Sequence, residues 1–369
     1  MGPITYTFEE LIAHKNSGNI PEATLEKLKA DADDILTKPT VVVTDIKLPR
    51  PSGDVHDYVS VAPYWWPNPD TPDGLPWVNR DGIVNPDTRT GIVPGAVYGR
   101  VHTLALAAFY FGDNGYSEYA SRQLYDWFLN PETRMNPNAK YGQSVPGVAE
   151  GRGAGLIEFA SSHALFNGIG ILECLGLVDE KLVADVKAWY VEFANWMLTH
   201  DLGLRIDNSK DNHASWYTSN LLSTAIFTGR DQLVKKLARD SYRRIKTAIM
   251  PDGSQPEELR RTQAMGYSFF NLNAMFTFSN LAERLGYTEY WGVDSERGVC
   301  ILKSAVDFLY PYLKNPETFP YKELHPEKRG LAMARALLVV DKRYPGCGYA
   351  ERAAEFGELT DSWLLEPLI

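Results

Sequence analysis

The run Asp211-Asn212-His213-Ala214-Ser215-Trp216-Tyr217 sets an amide, an imidazole, an indole and a phenol at the head of an apolar stretch through Leu221, Leu222, Ala225 and Phe227. Read as a helix, Asn212, His213, Trp216, Tyr217 and Asn220 fall at i, i+1, i+4, i+5 and i+8. They then share one face while the leucines look elsewhere. Polar groups that hold a charged substituent, beside rings that stack on sugar faces, suit acid-base work on a carbohydrate. The same residues also describe a capped helix whose histidine is satisfied in a core.

A second stretch follows, Gly253-Ser254-Gln255-Pro256-Glu257-Glu258-Leu259-Arg260-Arg261-Thr262, leading into Ala264-Met265-Gly266-Tyr267-Ser268-Phe269-Phe270-Asn271. A loop with acid, amide and two arginines here feeds a helix whose first turns present Tyr267. A guanidinium stays charged at any working pH and lowers the pKa of a neighbouring phenol from its usual value of about 10, which makes the phenol a base. A third stretch runs from Met135 through Gln143 to Gly151-Arg152-Gly153-Ala154-Gly155. Its glycines let backbone come close to a ligand, and Gln143 and Arg152 can bind hydroxyl and carboxylate groups. Arg152 can equally cap a neighbouring helix.

Upstream, about residues 56–94 are dense in Pro, Gly, Asp, Asn and aromatics, so regular structure is not expected over most of this segment. It is too aromatic for a solvated linker and is expected to fold over the body and wall a cleft. Tyr64, Trp65, Trp66 and Trp77 supply flat faces that suit pyranose rings. Of the Trp65-Trp66 pair, one ring is expected in the site and one in the core.

Together these stretches and the run Pro63-Tyr64-Trp65-Trp66-Pro67 resemble the alginate lyase superfamily of polysaccharide lyases, including its mannuronan and glucuronan lyases. The resemblance extends from about Asp57 to about Asn280. It implies an all-α fold, an incomplete α/α toroid of antiparallel helix hairpins with long aromatic-rich loops over the cleft. It also implies β-elimination on an anionic polysaccharide. No cofactor and no metal are expected, since His163, His200 and His213 are not spaced as a metal cluster. A lyase of 4-linked uronates must meet the substrate carboxylate, take the C5 proton and expel the C4 oxygen. Asn212 and His213, with an arginine, are the candidates for the carboxylate, and Tyr267 for base and acid. The family pattern selects Arg261 as the partner of Tyr267, whereas helical phase counted from Pro256 favours Arg260. Arg261 is assigned to catalysis and Arg260 to substrate binding, together with Tyr64, Trp65, Trp66, Gln143, Arg152, Trp216 and Tyr217.

The elements that must position these groups are helical. Two helices are expected over about residues 5–36, the first opened by a capping box at Thr7-Phe8-Glu9-Glu10 and the second by Pro21. Apolar positions recurring at three and four then predict helices over about 94–111, 116–129, 154–175, 179–199, 212–229, 231–249, 262–285, 296–313 and 328–341. Short turns between them and no alignable repeat point to stacked antiparallel hairpins forming one domain over residues 1–369.

Apolar residues are 44% and charged residues 23%, enough for a sizeable core. A formal charge of −10 argues against a nucleic-acid or anionic-membrane partner, which calls for a basic face. No window approaches the roughly 20 apolar residues of a membrane span. The start, Met1-Gly2-Pro3-Ile4-Thr5-Tyr6, lacks the regions of a signal peptide and is compatible with an addition to a mature sequence. The expected place is secreted or periplasmic, and oligomeric state is left open. Cys174, Cys300 and Cys347 lack metal or redox spacing and are expected to be buried free thiols.

Two other classes compete. A glycoside hydrolase on the same kind of fold would need a pair of carboxylates, for which Glu257, Glu258 and Glu150 are available. A glycan-binding protein would need the aromatics alone, with no reason to keep Asn212, His213, Arg261 and Tyr267 together.

Overall fold

The helical periodicity is realised along most of the chain in the computed structural model, which describes residues 2–357, 359 and 362–368. Fourteen α-helices are found among them: α1 (Phe8–Asn16), α2 (Glu22–Leu36), α3 (Pro94–Phe111), α4 (Asn114–Phe128), α5 (Ser162–Leu175), α6 (Glu180–Thr199), α7 (Asp201–Asp207), α8 (Asn212–Phe227), α9 (Asp231–Ala248), α10 (Pro256–Leu259), α11 (Ala264–Arg284), α12 (Ile301–Lys314), α13 (Gly330–Arg343) and α14 (Tyr349–Ala354). No helix among the described residues is long and apolar enough to cross a membrane. The contacts divide the chain into two compact units, residues 1–208 with 223–230 and residues 209–222 with 231–369.

In the first unit, α1 opens with the expected capping box. Thr7 Oγ1 accepts from Glu10 N–H at 3.1 Å and Glu10 Oε2 accepts from Thr7 N–H at 2.6 Å. Helix α3 packs on both α4 and α5. Gly168 on α5 allows the close approach, since a Cβ there would sit 3.0 Å from His102 Cα on α3. The core is aromatic: Phe166 stacks on Phe227 with centroids 4.2 Å apart, and Phe128, Trp189, Tyr190 and Phe193 interlock edge to face or stacked. Such pairs add to the burial of their large apolar area.

The segment expected to be irregular carries two short pairings. Strand β1 (Val59–Val61) lies parallel to β4 (Tyr141–Ser144), and β2 (Trp65–Trp66) is antiparallel to β3 (Val78–Asn79) with Trp65 opposite Asn79. Asn85, fully buried, pins the segment by donating from Nδ2 to the Trp65 carbonyl and accepting from Asp87 N–H. The two tryptophans are not split between site and core: both are half-buried on this ribbon, and Trp66 Nε1 donates to the Ile83 carbonyl.

The helix expected over 154–175 is broken. Residues Gly153–Phe159 form a 3-10 helix that packs on β4, and α5 starts only at Ser162. The backbone is tightly packed there: a Cβ on Gly155 would lie 2.6 Å from the Gly142 carbonyl carbon, and one on Gly151 would lie 1.9 Å from the Lys140 oxygen. These glycines admit backbone against backbone within the protein, where the sequence had suggested room for a ligand.

In the second unit α11 is buried nearly all round, as a central helix must be, and packs on α9, α12 and α13. Arg297 donates to the Lys246 and Ile249 carbonyls and so closes the C-terminus of α9, where carbonyls lack intrahelical partners. Arg343 on α13 donates to Glu283 and Asn280 of α11. The helix expected from 296 begins at 301, because the Asp294 carboxylate accepts from the Glu296 and Arg297 N–H groups and holds a turn there. Of the cysteines, Cys300 is buried as expected, while Cys174 and Cys347 are free but at the surface.

The glycine contacts carry a prediction for the first unit. Gly155→Ala should cost about 1–3 kcal/mol, the usual range for overpacking a tight interior, read as a drop in Tm, while Gly176→Ala should act only through its left-handed backbone, since nothing lies within 4 Å of it.

Candidate active site

Helix α8 starts at the point the sequence singled out. Asp211 accepts from the His213 N–H through Oδ1 at 3.2 Å and its carbonyl accepts from Ala214 N–H, so it caps the helix. Its other carboxylate oxygen, Oδ2, lies 3.2 Å from His213 Nδ1. A carboxylate at Nδ1 assigns the proton to that nitrogen and leaves Nε2 for a reacting group. Burial acts to raise the Asp211 pKa, but hydrogen bonds and charge from His213, with Ser209 Oγ donating at 2.6 Å, hold it down to about 2. In the sequence Asp211 stands out only as part of the run. The signal for its role was an Asp two residues before a His at a helix start.

Asn212 is 1% exposed and does not face open solvent. Its backbone N–H donates to Glu258 Oε1 at 2.6 Å and its Nδ2 to Glu258 Oε2 at 2.7 Å. Trp216 and Tyr217, expected to stack on sugar faces, are 7% and 4% exposed, so their ring faces are covered by protein. Trp216 packs against Phe270 of α11 at 5.1 Å between centroids. The polar stripe of α8 is thus interior along most of its length, and His213, half-buried, is its open member.

The two arginines differ in what they touch. The Arg261 guanidinium carbon lies 3.7 Å from the centroid of the Tyr267 ring. Arg260 has a side chain 70% exposed and pairs with Glu257 at 2.6 Å. Phase counted from Pro256 fails because α10 ends at Leu259 and the chain turns before α11 begins at Ala264.

The first turn of α11 is closed from a distant segment. Glu323 Oε2 accepts from Gly266 N–H at 3.0 Å and the Lys322 carbonyl from Ala264 N–H at 3.0 Å. Arg329 donates to Glu323 Oε1 at 2.8 Å and to Gln263 Oε1 at 2.9 Å. A Cβ at Gly266 would meet the Arg329 guanidinium at 2.5 Å, so a side chain there would have to move that arginine. Neither Glu323 nor Arg329 was legible as part of the site, because nothing local in the sequence links them to Tyr267.

In the first unit, Arg152 donates from Nε to the Gln143 carbonyl and from NH2 to Gln143 Oε1, both at 3.1 Å. Gln143 has φ of 47°, a left-handed conformation that a side-chain-bearing residue adopts at a cost. The guanidinium of Arg152 lies 5.7 Å from the Trp65 ring centroid. Behind them, Ser60 Oγ accepts from Gln143 N–H at 2.7 Å and donates to Glu158 Oε2 at 2.6 Å, and Tyr58 donates to the same oxygen at 3.1 Å. Burial pushes Glu158 up to about 7 against those bonds and the charge of Arg152. Tyr64 lies half-buried at the start of the ribbon, its carbonyl accepting from Arg80 N–H. Among the described residues no cluster of His, Cys, Asp and Glu has the geometry to hold a metal ion.

The chain is similar to known alginate lyases. The family model for alginate lyases matches residues 42–319. An alginate lyase from Bacteroides ovatus of known structure is 32% identical, with 98% of each chain covered and a TM-score of 0.93. Alginate lyase A1-III from Sphingomonas species A1 is 17% identical over 83% of this chain and 77% of its own, with a TM-score of 0.55. A histidine-to-alanine variant of A1-III complexed with tetrasaccharide is 16% identical over 88% of each chain, with a TM-score of 0.56. At that identity the A1-III structures speak for the fold alone, which is the all-α toroid class expected from the sequence. No functionally curated protein matches the chain.

The Asp211–His213 pair carries two predictions. Asp211→Asn should lower kcat by as much as about 10,000-fold, the order of loss when the carboxylate that fixes a reacting histidine's tautomer becomes an amide. It should also flatten the acid arm of a Tm-against-pH curve. Because the folded-state pKa lies below the ordinary carboxylate value of about 4, Asp211 adds stability above that value and loses it as pH falls towards 2. His213→Ala should lose most activity with Tm kept; a collapse of Tm would mark a core histidine instead.

Proposed function

The chain belongs to the alginate lyase family and is a polysaccharide lyase, and on that premise we propose that it cleaves 4-linked uronans, mannuronate-rich alginate or glucuronan, by β-elimination with Tyr267 as base and acid. The observation that carries this reading is the Arg261 guanidinium packed on the Tyr267 ring. A permanent cation against a phenol favours the phenolate, the form able to accept a proton.

The chemistry runs as follows. The C5 proton of a uronate is too weakly acidic to leave while the adjacent carboxylate keeps its charge unopposed, so preorganised donors must meet that carboxylate. His213, held through Nδ1 by Asp211, offers Nε2 for this, and Asn212, 1% exposed, offers the amide hydrogen not on Glu258 only to a carboxylate pressed against it. The Tyr267 phenolate takes the C5 proton, electrons form the C4–C5 double bond, and the C4–O4 bond breaks. The proton then passes from the Tyr267 hydroxyl to O4 of the leaving chain, which returns the phenolate.

One group serves both steps only if the C5 hydrogen and the C4 oxygen lie on the same ring face. They do in mannuronate and glucuronate, which differ at C2. In guluronate C5 is inverted, and His213 would have to take the proton from the opposite side. On this reading the first unit supplies sugar and carboxylate contacts of its own through Tyr64, Trp65, Trp66, Gln143 and Arg152. Arg152 is the cation offered to a uronate carboxylate, fixed by Gln143 rather than mobile. Arg260, exposed, is a further ligand for the polyanion. A polymer of this kind is met outside the cytoplasm, so the reading makes the protein secreted or periplasmic.

Against the hydrolase alternative, two of its three candidate carboxylates are engaged: Glu258 on both oxygens by Asn212, and Glu257 with Arg260 at the surface.

Tyr267→Phe tests the assignment. It should lower kcat by about 100- to 10,000-fold, the range for losing a general acid-base group, while Tm and the affinity for mannuronate oligosaccharides stay near wild type. Turnover within a few-fold of wild type would remove Tyr267 from the mechanism.

A further inference from the structure

We infer that Glu258 is a positioning residue for the elimination: its buried carboxylate fixes both the backbone start of α8 and the side-chain amide of Asn212, and so sets which amide hydrogen is offered to the substrate. The inference rests on the lyase reading above and assigns Glu258 no contact with substrate.

The geometry is specific. Glu258 is 1% exposed, and its two oxygens take two donors from one residue, the Asn212 N–H at 2.6 Å and Nδ2 at 2.7 Å. An ionised carboxylate is acceptor-only and can take both; a protonated one carries a donor on one oxygen and must release one of them. With Nδ2 on Glu258, the Asn212 amide cannot flip, because a flip would set its Oδ1 against a carboxylate oxygen. The same glutamate reaches the other half of the chemistry through its main chain, since its carbonyl accepts from Arg261 N–H at 3.0 Å. The short helix α10 that carries it is braced on α11 as well: Gln255 donates from Nε2 to the Ser268 carbonyl at 3.2 Å and accepts from Asn271 Nδ2 at 2.9 Å.

The charged groups facing Glu258 are Asp211 from the start of α8 and Arg261 from the chain after α10. Burial is the largest influence on its acidity and pushes it up to about 7, with the Asp211 charge adding to this and the two Asn212 bonds and Arg261 opposing it. Glu258 therefore gains its proton as pH falls through neutrality. The Asn212 amide should loosen in the same range.

The test uses the full chain with polymannuronate and reads kcat and KM separately. Glu258→Gln keeps the volume but sets an N–H against one of the Asn212 donors. It should lower kcat by up to about 100-fold, the cost of a small misplacement of a reacting group, with KM changed less than about twofold, because the group it aligns acts in the transition state. The double variant Glu258→Gln with Asn212→Ala should be no slower than Asn212→Ala alone. Multiplying losses in the double variant would overturn the inference. Should Glu258→Gln fail to fold, Asn212→Ala decides: the component of the acid-side fall in kcat centred near 7 should vanish with the amide, and its persistence would overturn the inference. If the wild-type chain yields no unsaturated product from any uronan, the lyase reading fails separately. The Asn212 side-chain amide resonances then report on Glu258 directly; they should shift as pH is lowered through 7, and pH-invariant resonances would overturn its role.

Discussion

The first turn of an α-helix leaves backbone N–H groups with no intrahelical partner, and both helices that carry the candidate chemistry place that chemistry in the first turns. Helix α8 begins at Asn212 with His213 next, and α11 begins at Ala264 with Tyr267 in its first turn. In each case the orphan donors are met by carboxylates: Asp211 and Glu258 at α8, Glu323 at α11. Two of the three come from elsewhere in the chain, so satisfying the helix termini and aligning the reacting groups are one structural act. The N-terminal end of a helix also carries partial positive charge, a favourable place for an anion such as a uronate carboxylate.

How much of this was legible follows from which interactions are local. The helices α3, α6, α8, α9 and α11 were readable because three-four periodicity records burial on one side, and their starts fall within two residues of expectation. The capping box of α1 was readable because it closes over four residues. Asn212, His213 and Tyr267 were singled out by residue type, and proximity of Arg261 to Tyr267 by a pattern only six residues long. What failed is non-local. The burial of Trp216 and Tyr217 depends on neighbours such as Phe270, and the bonds of Glu258 and Glu323 span 46 and 57 residues. A face drawn on a helical wheel does not say what covers it.

The glycine-rich stretch around Arg152 shows the same limit in another form. Glycine signals close approach, and close approach is what the structure has, but of β4 to the 153–159 turn. The approach lies beside the candidate binding residues, since Gln143, next to Gly142, is left-handed and Arg152 is bound to both its carbonyl and its amide. Strain held by surrounding packing is a feature of sites that must keep one geometry.

The central claim is that bond cleavage is a same-face elimination run by one tyrosine. It is tested most directly by incubating the chain with polymannuronate, glucuronan and polyguluronate in parallel and following the ultraviolet absorbance of the 4,5-unsaturated uronate. The account predicts a rise with one or both of the first two and a slower rise, or none, with polyguluronate. New reducing ends without that absorbance, or polyguluronate cleaved fastest, would contradict it.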